Sequence, residues 1–197
     1  MDSYLIGQIK HISHSMFQKN YFGVFHGSIS AKTTVNSFII NKKETILDDE
    51  VKENNFIELN YSRPKDYRWN EASPDVRIHE KIYRQLPSAK YISYTMPPYA
   101  TAYSLSNQEV IPKDYYGHQI LDKVVIYDPK DFSDWHIRGA YEITSFFKKS
   151  SDHLLLIKGF GLVSYDRDLT EMVKKVAILE NSCKLLTIGA VIGQKDS

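Results

Sequence analysis

Residues 91–105 read YISYTMPPYATAYSL. Tyr91–Met96 is a run rich in aromatic and apolar side chains, which predicts a buried strand. Pro97-Pro98 ends it, because proline has no N–H to give to a sheet ladder. A short apolar segment, Tyr99–Leu105, follows. Side chains alternate along a strand, so Tyr94 and Met96 point to the same side of the sheet. Taken alone, both are core or pocket-lining residues.

Working outward, the stretch 73–87 reads SPDVRIHEKIYRQLP. Ser73 offers an N-cap, Pro74 sits where a first helical residue needs no N–H, and Pro87 ends the helix near Leu86. On the other side, residues 154–180 read LLLIKGFGLVSYDRDLTEMVKKVAILE. Leu154–Ile157 and Leu162–Tyr165 predict two strands joined through the tight turn Lys158–Gly161. Asp168 and Glu171 have capping-box spacing and open a final helix with a buried stripe of Met172, Val176, Leu179, Cys183 and Leu186.

The remaining elements follow the same rules. Leu5, Ile9, Ile12 and Met16 predict an opening amphipathic helix. Strands are expected at Tyr21–Phe25, Phe38–Ile40, Phe56–Asn60 and Lys123–Asp128. Ser133 is expected to cap a helix with His136, Ala140, Ile143 and Phe147 facing inward. Residues 63–72, RPKDYRWNEA, read as a surface loop. Strands and helices interleave, which implies a layered α/β domain.

Length and composition narrow the function classes. At 197 residues a single domain spanning 1–197 is expected, with a core large enough to fold without metals or disulfides. The formal net charge is +1, and no stretch gathers Lys and Arg on the scale of a nucleic-acid footprint. One cysteine, Cys183, rules out an intrachain disulfide and fits a reducing compartment. The N-terminal residues lack the cationic and apolar pattern of a signal peptide, and no apolar run is read as reaching the ~20 residues of a membrane span. A cytoplasmic protein with neither a nucleic-acid nor a membrane partner is expected.

Several residues carry potential chemistry. Asp75 and His79 lie four apart on a predicted helix and share a face. They can form an acid/base pair or supply two metal ligands. They equally fit a first-turn Asp favouring the helix dipole and a hydrogen-bonded core His. His26 precedes the Gly27–Ser30 segment, GSIS, whose backbone can cradle an anion or simply connect two strands. Tyr115 and Tyr116 fall in a polar loop, where a phenol can donate a proton to a bound oxygen. The other histidines are dispersed, and Walker A, G-x-S-x-G, G-x-G-x-x-G and zinc-cysteine motifs are absent.

Taken in order, the segments resemble the class II aldolase/adducin family. SPDVRIHEKIYRQLP is similar to the family's Ser-Ser-Glu, His, aromatic and Pro segment. YISYTMPPYATAYSL is similar to its Val-Val-His-x-His-Ser-Pro-Tyr-Ala-Thr-Ala. LLLIKGFGLV is similar to Leu-Leu-Leu-x-Asn-His-Gly-Leu-Val, and it is followed by a comparable final helix. GSIS (27–30) and FIIN (38–41) are similar to Gly-Asn-Leu-Ser and Phe-Leu-Ile-Thr. The resemblance covers roughly residues 20–188.

It implies a three-layer α/β/α fold with a mainly antiparallel, mixed central sheet, and a homo-oligomer, most often a ring-like tetramer with sites at subunit contacts. Family enzymes are zinc lyases and epimerases of sugar phosphates, with three histidines on the metal and a Glu as acid/base. Aligned with those histidines stand Tyr94, Met96 and Phe160, and Asp75 aligns with the Glu. The resemblance thus implies no metal and no cofactor. Asp75 and Tyr116 remain as catalytic candidates, and Ser28, Ser30, Asn41 and Ser73 as small-molecule contacts, with Lys42 or Lys43 adding charge. The leading expectation is a zinc-free binding or assembly module. The alternatives are a metal-independent enzyme on a carbonyl or sugar phosphate, and a metalloenzyme whose ligands have moved to Asp75, His79 and a further histidine.

Overall fold

Among the described residues eight strands make one sheet, and its centre is the pairing that the 91–105 stretch supplies. The computed structural model describes residues 3–193. β1 (Ser28–Lys32), β2 (Ser37–Asn41) and β3 (Phe56–Asn60) form an antiparallel meander. β4 (Tyr91–Thr95) pairs antiparallel with β1 on one side and with β8 (Gly161–Asp166) on the other. β7 (Leu154–Ile157) joins β8 through the predicted turn. β6 (Val124–Tyr127) lies parallel to β7, and the two-residue β5 (Glu109–Val110) closes the edge. The order is β3-β2-β1-β4-β8-β7-β6-β5. The sheet is therefore mixed, with β6–β7 its parallel pair.

Alternation along the strands sends two apolar sets to opposite faces. One face packs against α1 (Ser3–Gln18), α4 (Pro98–Ser106) and α7 (Leu169–Gly193), through Ile6, Ile9, Ile29, Leu156, Met172 and Val176. The other packs against α2 (Arg68–Glu71), α3 (Val76–Gln85) and α6 (Trp135–Lys149), through Phe38, Ile92, Val163, Ile82 and Ile143. α5 (Tyr115–Ile120) sits against α7, where Ser182 donates to Asp114 at 2.6 Å. The result is the α/β/α layering that the family resemblance implied.

The β7–β8 turn depends on glycine. Gly161 has φ +130°, and a Cβ there would stand 2.4 Å from the Thr95 carbonyl oxygen of β4. A side chain at this position would push apart two paired strands, so β8 can begin directly beside β4 only with glycine.

Six local expectations need correction. Residues 63–72 are not all surface loop: Arg68–Glu71 form α2, Trp69 and Ala72 are buried in the core, and Ala72 bridges to Lys42. Residues 21–25 are not a strand: the Gly23 N–H turns back to the His26 carbonyl at 3.0 Å, and the strand starts at Ser28. The aromatic composition of 21–25 instead serves packing, with Tyr21 and Phe22 buried. Ser73 does not cap α3. The helix begins later, at Val76, and the Ser73 hydroxyl bonds the Asp75 carboxylate at 3.3 Å. Tyr115 and Tyr116 open α5 rather than sit in a loop, because Asp114 caps it by accepting the Gly117 N–H at 2.9 Å.

On α6 the inward residue is Trp135, while His136 is exposed, since the Ser133 hydroxyl is taken by Asp131 and the helix starts at residue 135. Finally, α7 is long and apolar enough to cross a membrane by length and composition. Its stretch from Met172 to Cys183 is core: Met172, Val176, Leu179 and Cys183 are fully buried. Its predicted cap is present, with Asp168 accepting the Glu171 N–H at 2.9 Å.

Candidate functional site

Two side-chain stripes meet between β1 and α3. On the strand, Ser28 and Ser30 are two apart and share a face, at a spacing of about 6.7 Å. On and just before the helix, Asp75, His79 and Tyr83 are four apart, at about 6 Å per step. These periods match closely enough for the stripes to interlock. The Ser28 Oγ lies 3.2 Å from Asp75 Oδ2 and 2.8 Å from His79 Nε2. The Ser30 Oγ lies 2.6 Å from His79 Nδ1 and 2.8 Å from the Tyr83 hydroxyl. The Tyr83 hydroxyl also reaches the Lys90 carbonyl at 3.3 Å.

Burial sets the charge states. His79 has no exposed surface, and desolvation lowers its pKa to about 3, so the ring is neutral at ordinary pH. Burial also raises the half-buried Asp75 carboxyl above its usual range, and the Ser28 and Ser73 hydroxyls and the positive potential of His26 oppose that rise. His26 itself is exposed, so it marks the solvent side of Asp75.

Asn41 holds the approach to β1. Its Oδ1 accepts the Ile29 N–H at 2.9 Å, and its own carbonyl accepts the Ser73 N–H at 3.0 Å. Ser28, Ser30, Asn41 and Ser73 are all at most 2% exposed. The structure thus brings the four sequence-proposed contacts and Asp75 together, with their polar atoms bonded to one another or to the adjoining backbone.

Beside this cluster, in cross-strand register with Ser28, stands Tyr94. Its ring stacks on Phe160 with centroids 4.5 Å apart, and its hydroxyl donates to the Phe160 carbonyl at 2.8 Å. Trp135 meets Phe160 edge-on at 5.5 Å. Met96 packs against the same core. Burial, with the Asp75 charge adding to it, pushes the Tyr94 phenol well above its ordinary pKa. Among the described residues, no group of three or more His, Cys, Asp or Glu side chains is placed to hold a metal ion. A relocated ligand set around Asp75 and His79 therefore has no third member there.

Tyr116 is not part of this constellation within one chain. It is 66% exposed on α5, which packs on α7 across the sheet from α3.

A model of the class II aldolase and adducin N-terminal domain matches residues 8–187. The chain belongs to the class II aldolase/adducin family. The L-fuculose phosphate aldolase of Methanococcus vannielii is 24% identical over 111 residues, and that stretch covers 56% of this chain and 58% of the relative's length. The L-fuculose-1-phosphate aldolase structure from Thermus thermophilus superposes with a TM-score of 0.83 at 19% identity, covering 95% of each chain. A sugar-phosphate aldolase structure from Thermotoga maritima gives 0.71 at 15% identity, covering 94% of each. At such identities the structural likeness concerns the fold.

Within this class II aldolase fold, sequence reading missed two site residues. Tyr83 continues the Asp75–His79 spacing by another four residues, a signal that was present in the sequence. Trp135 had only a helix frame to announce it, and the expected frame was one residue off.

Proposed function

We propose that this family member acts by binding a small molecule and not through the zinc chemistry of the family's lyases. The observation that carries this reading is the Tyr94–Phe160 stack, closed by the Tyr94 hydroxyl on the Phe160 carbonyl. Both positions align, through the sequence resemblance, with zinc histidines, and Met96 aligns with the remaining one. A catalytic zinc takes about three His, Cys or carboxylate ligands and an open position. A phenol whose proton is held more tightly than usual, a thioether and a phenyl ring do not fit that set. The ligand class is a phosphorylated or polyhydroxylated small molecule, supported by the names of the relatives and by Lys42 and Lys43 following β2. Assembly into a homo-oligomer, tetrameric by family resemblance, accompanies this reading. The exposed Leu185, Ile188, Val191 and Ile192 at the end of α7 support it, since such patches favour association.

The raised Asp75 carboxyl favours a second reading, metal-independent proton transfer on a carbonyl or sugar-phosphate substrate.

Elemental analysis after gel filtration, followed by thermal-shift and cleavage assays on a sugar-phosphate panel, tests both. The binding reading expects no stoichiometric zinc and a ligand-dependent rise in Tm without turnover. About one tightly held zinc per chain would sink it. Turnover that persists in chelator would replace it with the second reading. Light scattering at micromolar concentration tests assembly, and a clean monomer refutes it.

A further inference from the structure

The chain of contacts from Asp75 to Lys90 contains five links. They are Asp75 Oδ2 to Ser28 at 3.2 Å, Ser28 to His79 Nε2 at 2.8 Å, His79 Nδ1 to Ser30 at 2.6 Å, Ser30 to Tyr83 at 2.8 Å, and Tyr83 to the Lys90 carbonyl at 3.3 Å. Each link needs one proton, and two protons cannot share one. Ser28, neutral His79, Ser30 and Tyr83 each bring one, which makes four. The Lys90 carbonyl can only accept. The Ser73 hydroxyl, which accepts the Asp75 N–H and donates to Asp75 Oδ2 at 3.3 Å, uses its own proton on its own contact and leaves the count unchanged. The total therefore depends on Asp75, which brings none when ionised and one when protonated.

With Asp75 ionised, four protons serve five links. The charge-assisted bond to the carboxylate is the strong one, so it is filled, and the longest link, Tyr83 to Lys90, is the one left open. The order is then fixed. Tyr83 donates to Ser30, Ser30 donates to Nδ1, Nε2–H donates to Ser28, and Ser28 donates to Asp75. With Asp75 protonated, five protons fill all five links, in one order only. Asp75 donates to Ser28, Ser28 to Nε2, Nδ1–H to Ser30, Ser30 to Tyr83, and Tyr83 to the Lys90 carbonyl.

The geometry points to a tautomer switch: the buried imidazole of His79 carries its proton on Nε2 when Asp75 is ionised and on Nδ1 when Asp75 is protonated. One proton enters from solvent, the chain's total rises from four to five, and the fifth link closes at the end of the chain away from His26. The switch depends on neutral His79, which its pKa of about 3 secures over the range where a carboxyl with a raised pKa titrates. The titratable and charged groups facing the chain are His26 at Asp75, Tyr94 from β4, and Lys32, Tyr61 and Tyr91 around Tyr83. Ser28, Ser30 and Tyr83 thereby act as positioning residues for His79 and Asp75. The inference rests on this hydrogen-bond geometry and is independent of the binding reading above.

The test is long-range ¹H–¹⁵N spectroscopy of the full chain labelled at histidine nitrogens, titrated alongside the Asp75 carboxyl carbon. The expected result is exchange of the His79 proton from Nε2 to Nδ1 as pH falls, with the same midpoint as Asp75. One tautomer on both sides of the Asp75 midpoint overturns the switch. Tyr83→Phe gives a second reading. It removes the acceptor that Ser30 needs in the five-proton order, so the Nε2–H form should persist at every pH while His79 is neutral, and the Asp75 midpoint should fall by about one unit. A folded Tyr83→Phe variant that still switches with an unmoved midpoint overturns the proposal equally.

Discussion

Two regions on one face of the sheet meet at the paired residues Ser28 and Tyr94, and they solve burial in opposite ways. The region on the β8 side closes with aromatic rings: Tyr94, Phe160 and Trp135 fill space, and the Tyr94 hydroxyl finds the Phe160 carbonyl. The region on the β1 side closes with hydroxyls and an imidazole, each polar atom in the Ser28–His79–Ser30–Tyr83 run bonded to a neighbour. Aromatic filling stabilises through contact area and tolerates a change of pH. The polar run is stable only while every proton has a place, so it answers to pH and to single-atom deletions. The same backbone pairing thus holds a passive wall next to a titratable one.

Substitutions can break the contrast from either side. The largest effect is expected for Trp135→Ala, which removes the edge-on partner of Phe160 and should cost about 4 kcal/mol in chemical denaturation, with little pH dependence. On the polar side, acid itself is the perturbation. The His79 pKa is lowered from 6.5 to about 3 in the folded chain, so between those values the unfolded chain binds the extra proton. Stability should therefore fall as pH drops through this window, by roughly 3 kcal/mol from about pH 7 to about pH 4 for this group. Asp75, raised by burial, works in the opposite sense over its own range. His79→Gln should remove most of the His79 slope, and an unchanged slope would show that other groups set the acid limit.

Converting the wall to a metal site sharpens the comparison further. The triple variant Tyr94→His, Met96→His, Phe160→His should gain zinc affinity, because the first two positions share a strand face and the third is in ring contact with Tyr94. At free zinc about 100-fold above its Kd, the gain in stability is about 2.7 kcal/mol. Calorimetric titration measures it directly, and aldol cleavage should stay low because Asp75 is shorter than Glu and its carboxylate is bonded to Ser28 and Ser73. The smallest change is Tyr94→Phe. It leaves the stack but frees the Phe160 carbonyl, at a cost of about 1 kcal/mol read by the same denaturation.

Much of the fold was legible because its decisive elements carry local signals. The Tyr91–Met96 strand, the glycine turn before β8 and the stripe of α7 each follow from neighbours in sequence. Residues 21–25 misled because an aromatic run satisfies a strand and a buried loop equally, and only the Gly23–His26 turn tells them apart. The site was legible as a set of residue types but not as a set of contacts. Ser28 and His79 are 51 residues apart, and nothing in either segment states that a strand step and a helix step will interlock. Tyr83 could have been found by extending the four-residue spacing from Asp75. Trp135 could not, because its role depends on where α6 starts, and that is decided by Asp131 taking the Ser133 hydroxyl.

The central position of β4 has a consequence for how the chain reaches this state. One of its edges is covered early, since β1 is encoded upstream. The other waits for β8: Ser93 and Ser164 share a hydrogen bond across 71 residues of sequence. Until β8 is made, a nascent chain presents β4 as an open apolar edge, the kind of surface to which another chain's strand can add. The Gly161 turn lets β8 lie flush against Thr95 and so cover that edge. A substitution there would leave that edge open to other chains as well as push apart the finished β4–β8 pair.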